Sequence, residues 1–241
     1  VQLGGALDVE AKRRGTSVYL PGQVVPMLPE IISNGLASLQ QGEVRFTKSV
    51  LMEFSAEGTL LTTDFANSAI IVTRRFAYEE VMPLVENPDA YKGKISAAVR
   101  DLVCQMHKFA MLLRGRRFKG GALELNLPEV KIELDKDGVV SGAHEVEYDE
   151  SHQMIEEFML AANIAVATEL FERKQPIIRR IHSKADRAKL PSLADFVESL
   201  GLTLNNFTSR FELQKLVKSV RGKPFEQAVN YDLLRSMKQA E

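Results

Sequence analysis

Tryptophan is absent from these 241 residues and cysteine occurs once, as Cys104. A lone cysteine excludes an internal disulfide framework and any cysteine-rich zinc site. No apolar run approaches the ~20 residues that a membrane helix requires, so no membrane span is expected. The opening residues lack the basic segment, apolar core and small-residue cleavage site of a secretory leader. Net charge is nearly absent too. The 31 Lys and Arg against 32 Asp and Glu leave −1, so composition implies no wholesale attraction to nucleic acid or lipid. The histidines His107, His144, His152 and His182 show neither zinc-ligand spacing nor a His-Glu-x-x-His arrangement. His107 reads as a boundary residue and Cys104 as a buried structural thiol. Gly115, Gly120 and Gly121 match no phosphate-binding loop. What these absences leave is a soluble, cytoplasmic chain of mixed α and β structure. Its first residue, Val1, is not methionine, which leads us to expect a fragment or a processed start.

The charge that is present is segregated. From Glu124 to Glu157, eleven acids face only Lys131 and Lys136. From Glu172 to Lys189 the balance reverses, with Arg173, Lys174, Arg179, Arg180, Lys184, Arg187 and Lys189 against Glu172 and Asp186. A shorter cluster, Arg114, Arg116, Arg117 and Lys119, lies among glycines. Such blocks are solvated faces or phosphate-binding patches, and charge alone does not decide between them.

Periodicity predicts an α+β chain. Residues 44–54 and 59–73 read as two strands joined near Ala56-Glu57-Gly58. Residues 130–134 alternate in polarity and meet Asp137-Gly138, a hairpin turn pair, before a second strand near 139–147. Over 94–114 the apolar positions Ile95, Val99, Leu102, Met106, Phe109 and Leu113 mark an amphipathic helix. The last third reads as helices near 191–200, 208–219 and 224–239, with Pro191 and Gly201 as start and stop. No repeat or low-complexity linker appears, which favours one continuous domain.

Residues 154–173 form the most informative predicted helix. Between Phe158 and Ala167 only Asn163 is polar, and a helix apolar on nearly every face belongs inside a domain. Met154, Met159 and Met237 read as core filler. Glu156 then shares a stripe with Leu160, Asn163 and Ala167. A carboxylate facing an interior costs several kcal/mol unless it is paired or lines a wet cleft. Alternatively Glu156 and Glu157 simply occupy a first turn, where the helix dipole favours acids by about 0.3–1 kcal/mol.

Residues 11–39 combine a basic helix end and a glycine with a stiff loop punctuated by Pro21, Gly22, Pro26 and Pro29. Tyr19 stands between the bases and the prolines, a combination suited to stacking single-stranded bases. The string itself says more. Residues 13–21 (RRGTSVYLP), 25–30 (VPMLPE) and 33–39 (SNGLASL) closely resemble the signature of the ribonuclease II and ribonuclease R family, in its RNB catalytic domain. The resemblance continues through 76–81 (FAYEEV), 155–163 (IEEFMLAAN) and 234–240 (LRSMKQA), so it spans nearly the whole chain in order.

The resemblance implies an RNB-domain fold, with β hairpins packed with long helices and a helical C-terminal third. Residues 1–241 would form the central portion of a single catalytic domain, cut at both ends. The implied activity is hydrolytic 3′→5′ exoribonuclease action on single-stranded RNA, releasing nucleoside 5′-monophosphates, with magnesium as cofactor and no preference for DNA. Carried over residue by residue, Tyr19 falls on the aromatic that faces bases near the 3′ end. Tyr78 and Glu156 fall on the tyrosine and glutamate that help select RNA over DNA, a choice whose chemical handle is the ribose 2′-hydroxyl. Leu125 stands where the family has the second aromatic of its base clamp. The family's metal-binding aspartates are expected upstream of Val1 and its catalytic arginine downstream of Glu241. Asp64, Asp101, Asp135, Asp137, Asp149 and Asp186 are scattered and do not reproduce a tight Asp-x-Asp-Asp set. No catalytic or metal-ligating residue is therefore expected in this chain, and the fragment alone is expected to be inactive. The rival expectation is a non-catalytic RNA-binding or scaffolding member of the same family.

Overall fold

A computed structural model describes residues 1–125, 127–181 and 188–238. Its contacts divide the chain into two compact units. The first comprises residues 1–107 and 129–155, the second residues 108–128 and 156–241.

In the first unit, helix α1 (Ala6–Arg14) ends where Gly15 takes up the left-handed conformation at φ 72°. Strands β1 (Val18–Leu20) and β2 (Gln23–Val25) then pair antiparallel, with Tyr19 opposite Val24. The stiff loop expected here is thus partly a hairpin. Pro21 supplies a fixed φ for its turn and Gly22 a φ of 73°. A side chain on Gly22 would also place its Cβ 2.5 Å from Leu134 Cδ1, so both backbone and packing favour glycine there. Arg14 donates to the Pro26 carbonyl at 2.8 Å, and the Met27 amide donates to Ser17 Oγ at 2.9 Å.

Strands β3 (Val44–Phe54) and β4 (Leu60–Ile71) form the long hairpin expected from the sequence. A single π-helical turn, Ile31–Leu36, precedes it. Helix α2 (Tyr78–Glu86) follows, and the Glu80 carboxylate accepts the Ala77 amide at 2.8 Å to secure its start. Strands β5 (Val130–Leu134) and β6 (Val140–Glu145) make the third hairpin. Its turn is held by Asp135, whose carboxylate accepts the amides of Asp137 and Val139, each at 2.9 Å. The described strands form three separate two-stranded sheets.

Two long helices continue from the first unit into the second: α3 (Ala97–Lys119) and α4 (Glu150–Glu172). The second unit adds α5 (Leu190–Ser199), α6 (Arg210–Val220) and α7 (Glu226–Ser236). The sequence punctuation holds: Pro191 sits in the first turn of α5, and Gly201, at φ 72°, follows its end. Leu193, Val197, Leu213, Leu216, Val217, Val220, Val229 and Leu233 from these helices make a continuous core. Each such side chain contributes about 1.5–3 kcal/mol when fully buried. No described helix is long and apolar enough to cross a membrane.

Several packing expectations need correction. On α3 the buried positions are Val103 and Ala110, while Leu102 is exposed and lines a cavity. Cys104 is half-buried, not enclosed. Met154 is buried, but Met159 and Ile164 are exposed on α4, so that helix is not enclosed on every face. Its buried positions are Ser151, Met154, Glu157 and Ala165. The enclosed carboxylate is therefore Glu157, at 4% exposure, and not Glu156. An all-apolar helix carries no moment to say which face turns inward, and one residue of error rotates the inferred face by about 100°.

Candidate functional site

The first unit contains a cavity of about 800 Å³. Phe76, Tyr78 and Val81 line it together with Val99, Leu102 and Met106 of α3. Arg74 also lines it, with its guanidinium 4.7 Å from the Phe76 ring centroid and 3.4 Å from Glu80. Tyr78 occupies the first position of α2, a place with little side-chain support from its own helix. Its support comes from α4 instead. The Tyr78 and His152 rings stack with centroids 3.8 Å apart and planes 18° from parallel. Tyr148 approaches the same imidazole at 5.4 Å, tilted by 36°.

His152 is fixed by the start of α4. Asp149 caps that helix by accepting the Ser151 amide at 3.0 Å and the His152 amide at 3.4 Å. The same carboxylate oxygen accepts from the Ser151 hydroxyl and lies 2.9 Å from His152 Nδ1. Burial alone would raise the Asp149 carboxyl, but the donors from Ser151 and His152 outweigh it and hold it below the usual aspartate range. An ionised carboxylate only accepts, so Nδ1 carries the proton and donates it. Two residues before His152, Glu150 meets His107 at 2.6 Å, which makes His107 a half-buried hydrogen-bond partner.

In the second unit the main polar feature is ionic. Arg117 Nη2 lies 3.0 Å from Glu156 Oε1 and 2.5 Å from Glu157 Oε1, and its Nε donates to Glu157 at 2.9 Å. Burial alone would lower the Arg117 pKa. The hydrogen bond and charge of Glu157, followed by those of Glu156, outweigh it and hold the guanidinium more firmly protonated. Beside this clamp Glu124 pairs with both Arg114 and Arg221. The basic cluster at 114–119 is thus partly consumed by carboxylates. So is the acidic stretch, where Glu133 pairs with His144 and Asp149 with His152. The same holds at the end of α1, where Arg13 and Arg14 hold the Glu10 carboxyl down at about 2.

The residues singled out from the sequence divide between the units. Tyr19, on β1, is 77% exposed, and Tyr78 joins the aromatic stack, both in the first unit. Glu156, in the arginine clamp, and Leu125 belong to the second. Leu125 packs, partly buried, against the α5–α6–α7 core, which gives its side chain a structural task. The basic block 173–189 lies partly outside the described residues, which exclude 182–187. Sequence reasoning missed His152 and Arg117. The available signals were the Asp149-x-Ser151-His152 cap preceding the α4 pattern and a basic cluster on α3, which is as long as α4. Among the described residues no group of three or more His, Cys, Asp or Glu side chains converges as metal ligands would. These residues therefore do not fit a resident magnesium ion.

A family model described as RNB domain matches residues 1–241. Ribonuclease R of Thermotoga maritima is 37% identical, with the match covering 100% of this chain and 34% of that protein. The apo form of Mycoplasma genitalium RNase R superposes with a TM-score of 0.92 at 27% identity, covering 100% of this chain and 38% of that one. The same enzyme in complex with ribose-methylated single-stranded RNA gives a TM-score of 0.92 at 28% identity, with the same coverage. The chain thus spans about a third of the length of the curated relatives it matches, 34% of one and 29% of another.

Proposed function

The chain belongs to the RNB-domain family, and from that membership we propose that it forms the RNA-gripping part of a cytoplasmic hydrolytic exoribonuclease. The enzyme would degrade single-stranded RNA from the 3′ end and release nucleoside 5′-monophosphates. The observation that carries the reading is the whole-chain likeness to an RNase R whose solved structure holds single-stranded RNA.

Each residue has a task that suits its setting. Tyr19 projects from a short hairpin with its ring exposed, so a base stacks on it at little cost in protein rearrangement. Tyr78 presents a phenol at the cavity, and Glu156 a half-exposed carboxylate. Taken separately, a carboxylate accepts from a ribose 2′-hydroxyl and a phenol exchanges a hydrogen bond with one, and deoxyribose offers neither contact. Leu125 packs against a base face less favourably than an aromatic would. Magnesium and the catalytic arginine belong to parts of the domain other than these residues. The 241-residue chain therefore holds RNA without cutting it.

The test uses RNA labelled at its 5′ end. The complete protein with magnesium should shorten it stepwise from the 3′ end and liberate mononucleotides, while the isolated 241 residues liberate none. Internal cleavage products from the complete protein would refute the exonuclease reading, and mononucleotide release by the isolated chain would refute the division of labour. In the complete protein, Tyr19→Ala should weaken RNA binding by about 1–3 kcal/mol, measured by fluorescence anisotropy. Tyr78→Ala and Glu156→Ala should erode the preference for RNA over DNA far more than they lower the melting temperature. Unchanged preference in both variants would leave them as structural residues.

A further inference from the structure

We propose that His152 is the positioning residue for Tyr78, setting the orientation of the phenol and through it the discrimination between ribose and deoxyribose. The proposal rests on the reading of Tyr78 given above and extends it to a residue outside the resemblance.

The geometry is that of one ring clamped to another. Tyr78 stands at the first position of α2, where the preceding chain is extended and no helical turn lies N-terminal to it. A long side chain on a helix usually folds back over the preceding turn. Tyr78 has no such turn to rest on, so its rotamer is decided by tertiary contact. The contact is the face of His152, 3.8 Å away and within 18° of parallel.

His152 is in turn immobilised from two sides. Its Nδ1–H donates to Asp149 at 2.9 Å, and its backbone amide is capped by the same carboxylate at 3.4 Å. Asp149 is held by Ser151, whose side chain is fully buried. Tyr148 closes against the imidazole at 5.4 Å. The imidazole therefore cannot swing away from Tyr78 without breaking a charge-assisted hydrogen bond. A flat, rigid surface under the phenol limits its χ angles and sends its hydroxyl in one direction. A 2′-hydroxyl is a small target, and the strength of a hydrogen bond to it falls steeply with misalignment. Selectivity therefore requires that the phenol be held and not merely present. His152 acts through Tyr78 and carries no chemistry of its own.

The experiment compares degradation of an all-ribose oligonucleotide with that of one carrying 2′-deoxyribose near its 3′ end, using the complete protein. Expressed as the ratio of kcat/KM values, His152→Ala should reduce the preference for ribose by about tenfold, close to the effect of Tyr78→Ala. The double variant should be little worse than either single one, because the two side chains act as one unit. His152→Phe, which keeps an aromatic face, should restore the ratio to within about threefold of the unmodified protein. His152→Leu, which has bulk without such a face, should not, and it guards against a folding failure peculiar to alanine. A merely structural role would lower the melting temperature without moving this ratio. The inference is overturned if Tyr78→Ala abolishes the preference while His152→Ala and His152→Leu retain it, or if the two losses multiply in the double variant. Absence of RNA degradation by the unmodified protein overturns the functional reading and this inference together, so the two failures are distinguishable.

Discussion

The two units fix their candidate ligand-facing side chains by opposite means. In the first, a neutral phenol is held by the face of an imidazole. In the second, one guanidinium holds two consecutive carboxylates. A stack of rings loses little when one partner leaves, because what remains is apolar surface beside a cavity. Such pairs are worth about 0.5–1.5 kcal/mol beyond their buried area. A clamp around a buried carboxylate is different. Removing Arg117 leaves the charge of Glu157, which is 4% exposed, to the more distant Arg114 at 3.9 Å. The unit with the ionic clamp should therefore tolerate substitution far less than the unit with the stack. The stack buys orientation and the clamp buys the right to bury charge.

The largest test of this contrast is Arg117→Ala. Loss of one member of a buried pair costs about 3–5 kcal/mol, so urea unfolding should show a marked drop or a failure to fold. A loss below about 1 kcal/mol would mean that Arg114 or water takes over the charge of Glu157 and would erase the contrast. The same clamp then separates its two acids. Glu157→Ala should destabilise by more than Glu156→Ala, whose side chain is 35% exposed and whose pairing should contribute less than about 1 kcal/mol to stability. Equal effects on thermal melting would contradict the assignment of the buried position.

The smallest expected effect concerns the stack. The Asp149 carboxyl is held below its ordinary value, so its contribution to stability is present above the unfolded value near ~3.9 and is lost as pH falls through the lower folded one. The melting temperature of the unmodified protein should therefore fall more steeply below about pH 4 than that of Asp149→Asn. Parallel curves would show that Asp149 gains nothing from its donors.

Much of this architecture is legible in the sequence because the signals are local. Alternating polarity with Gly58 or Asp137-Gly138 between strands is enough to place two of the three hairpins. Pro191 and Gly201 bracket α5 because one residue lacks an amide and the other adopts a positive φ without cost. The β1–β2 hairpin is less legible, since prolines that stiffen a loop also fit a turn between very short strands. The face of α4 is not legible at all: with apolar residues all round, Glu156 and Glu157 are equivalent until Arg117 arrives from α3. Leu102 and Met159 misled for the same reason, since hydrophobicity does not distinguish a core from a cavity wall or an exposed face.

The sequence by itself determined two of the three hairpins, the long and C-terminal helices, their order and the family, all of which depend on residue patterns a few positions wide or on strings that match residue by residue. Only the tertiary structure decided which carboxylate is enclosed, that Arg114 and Arg117 of the basic cluster are spent on ion pairs, and that Tyr78 rests on His152. The Arg117–Glu156 and Tyr78–His152 contacts join residues 39 and 74 positions apart in sequence, where no local rule of propensity or period reaches. Coulombic and stacking energies depend on separation in space, and folding alone sets that separation.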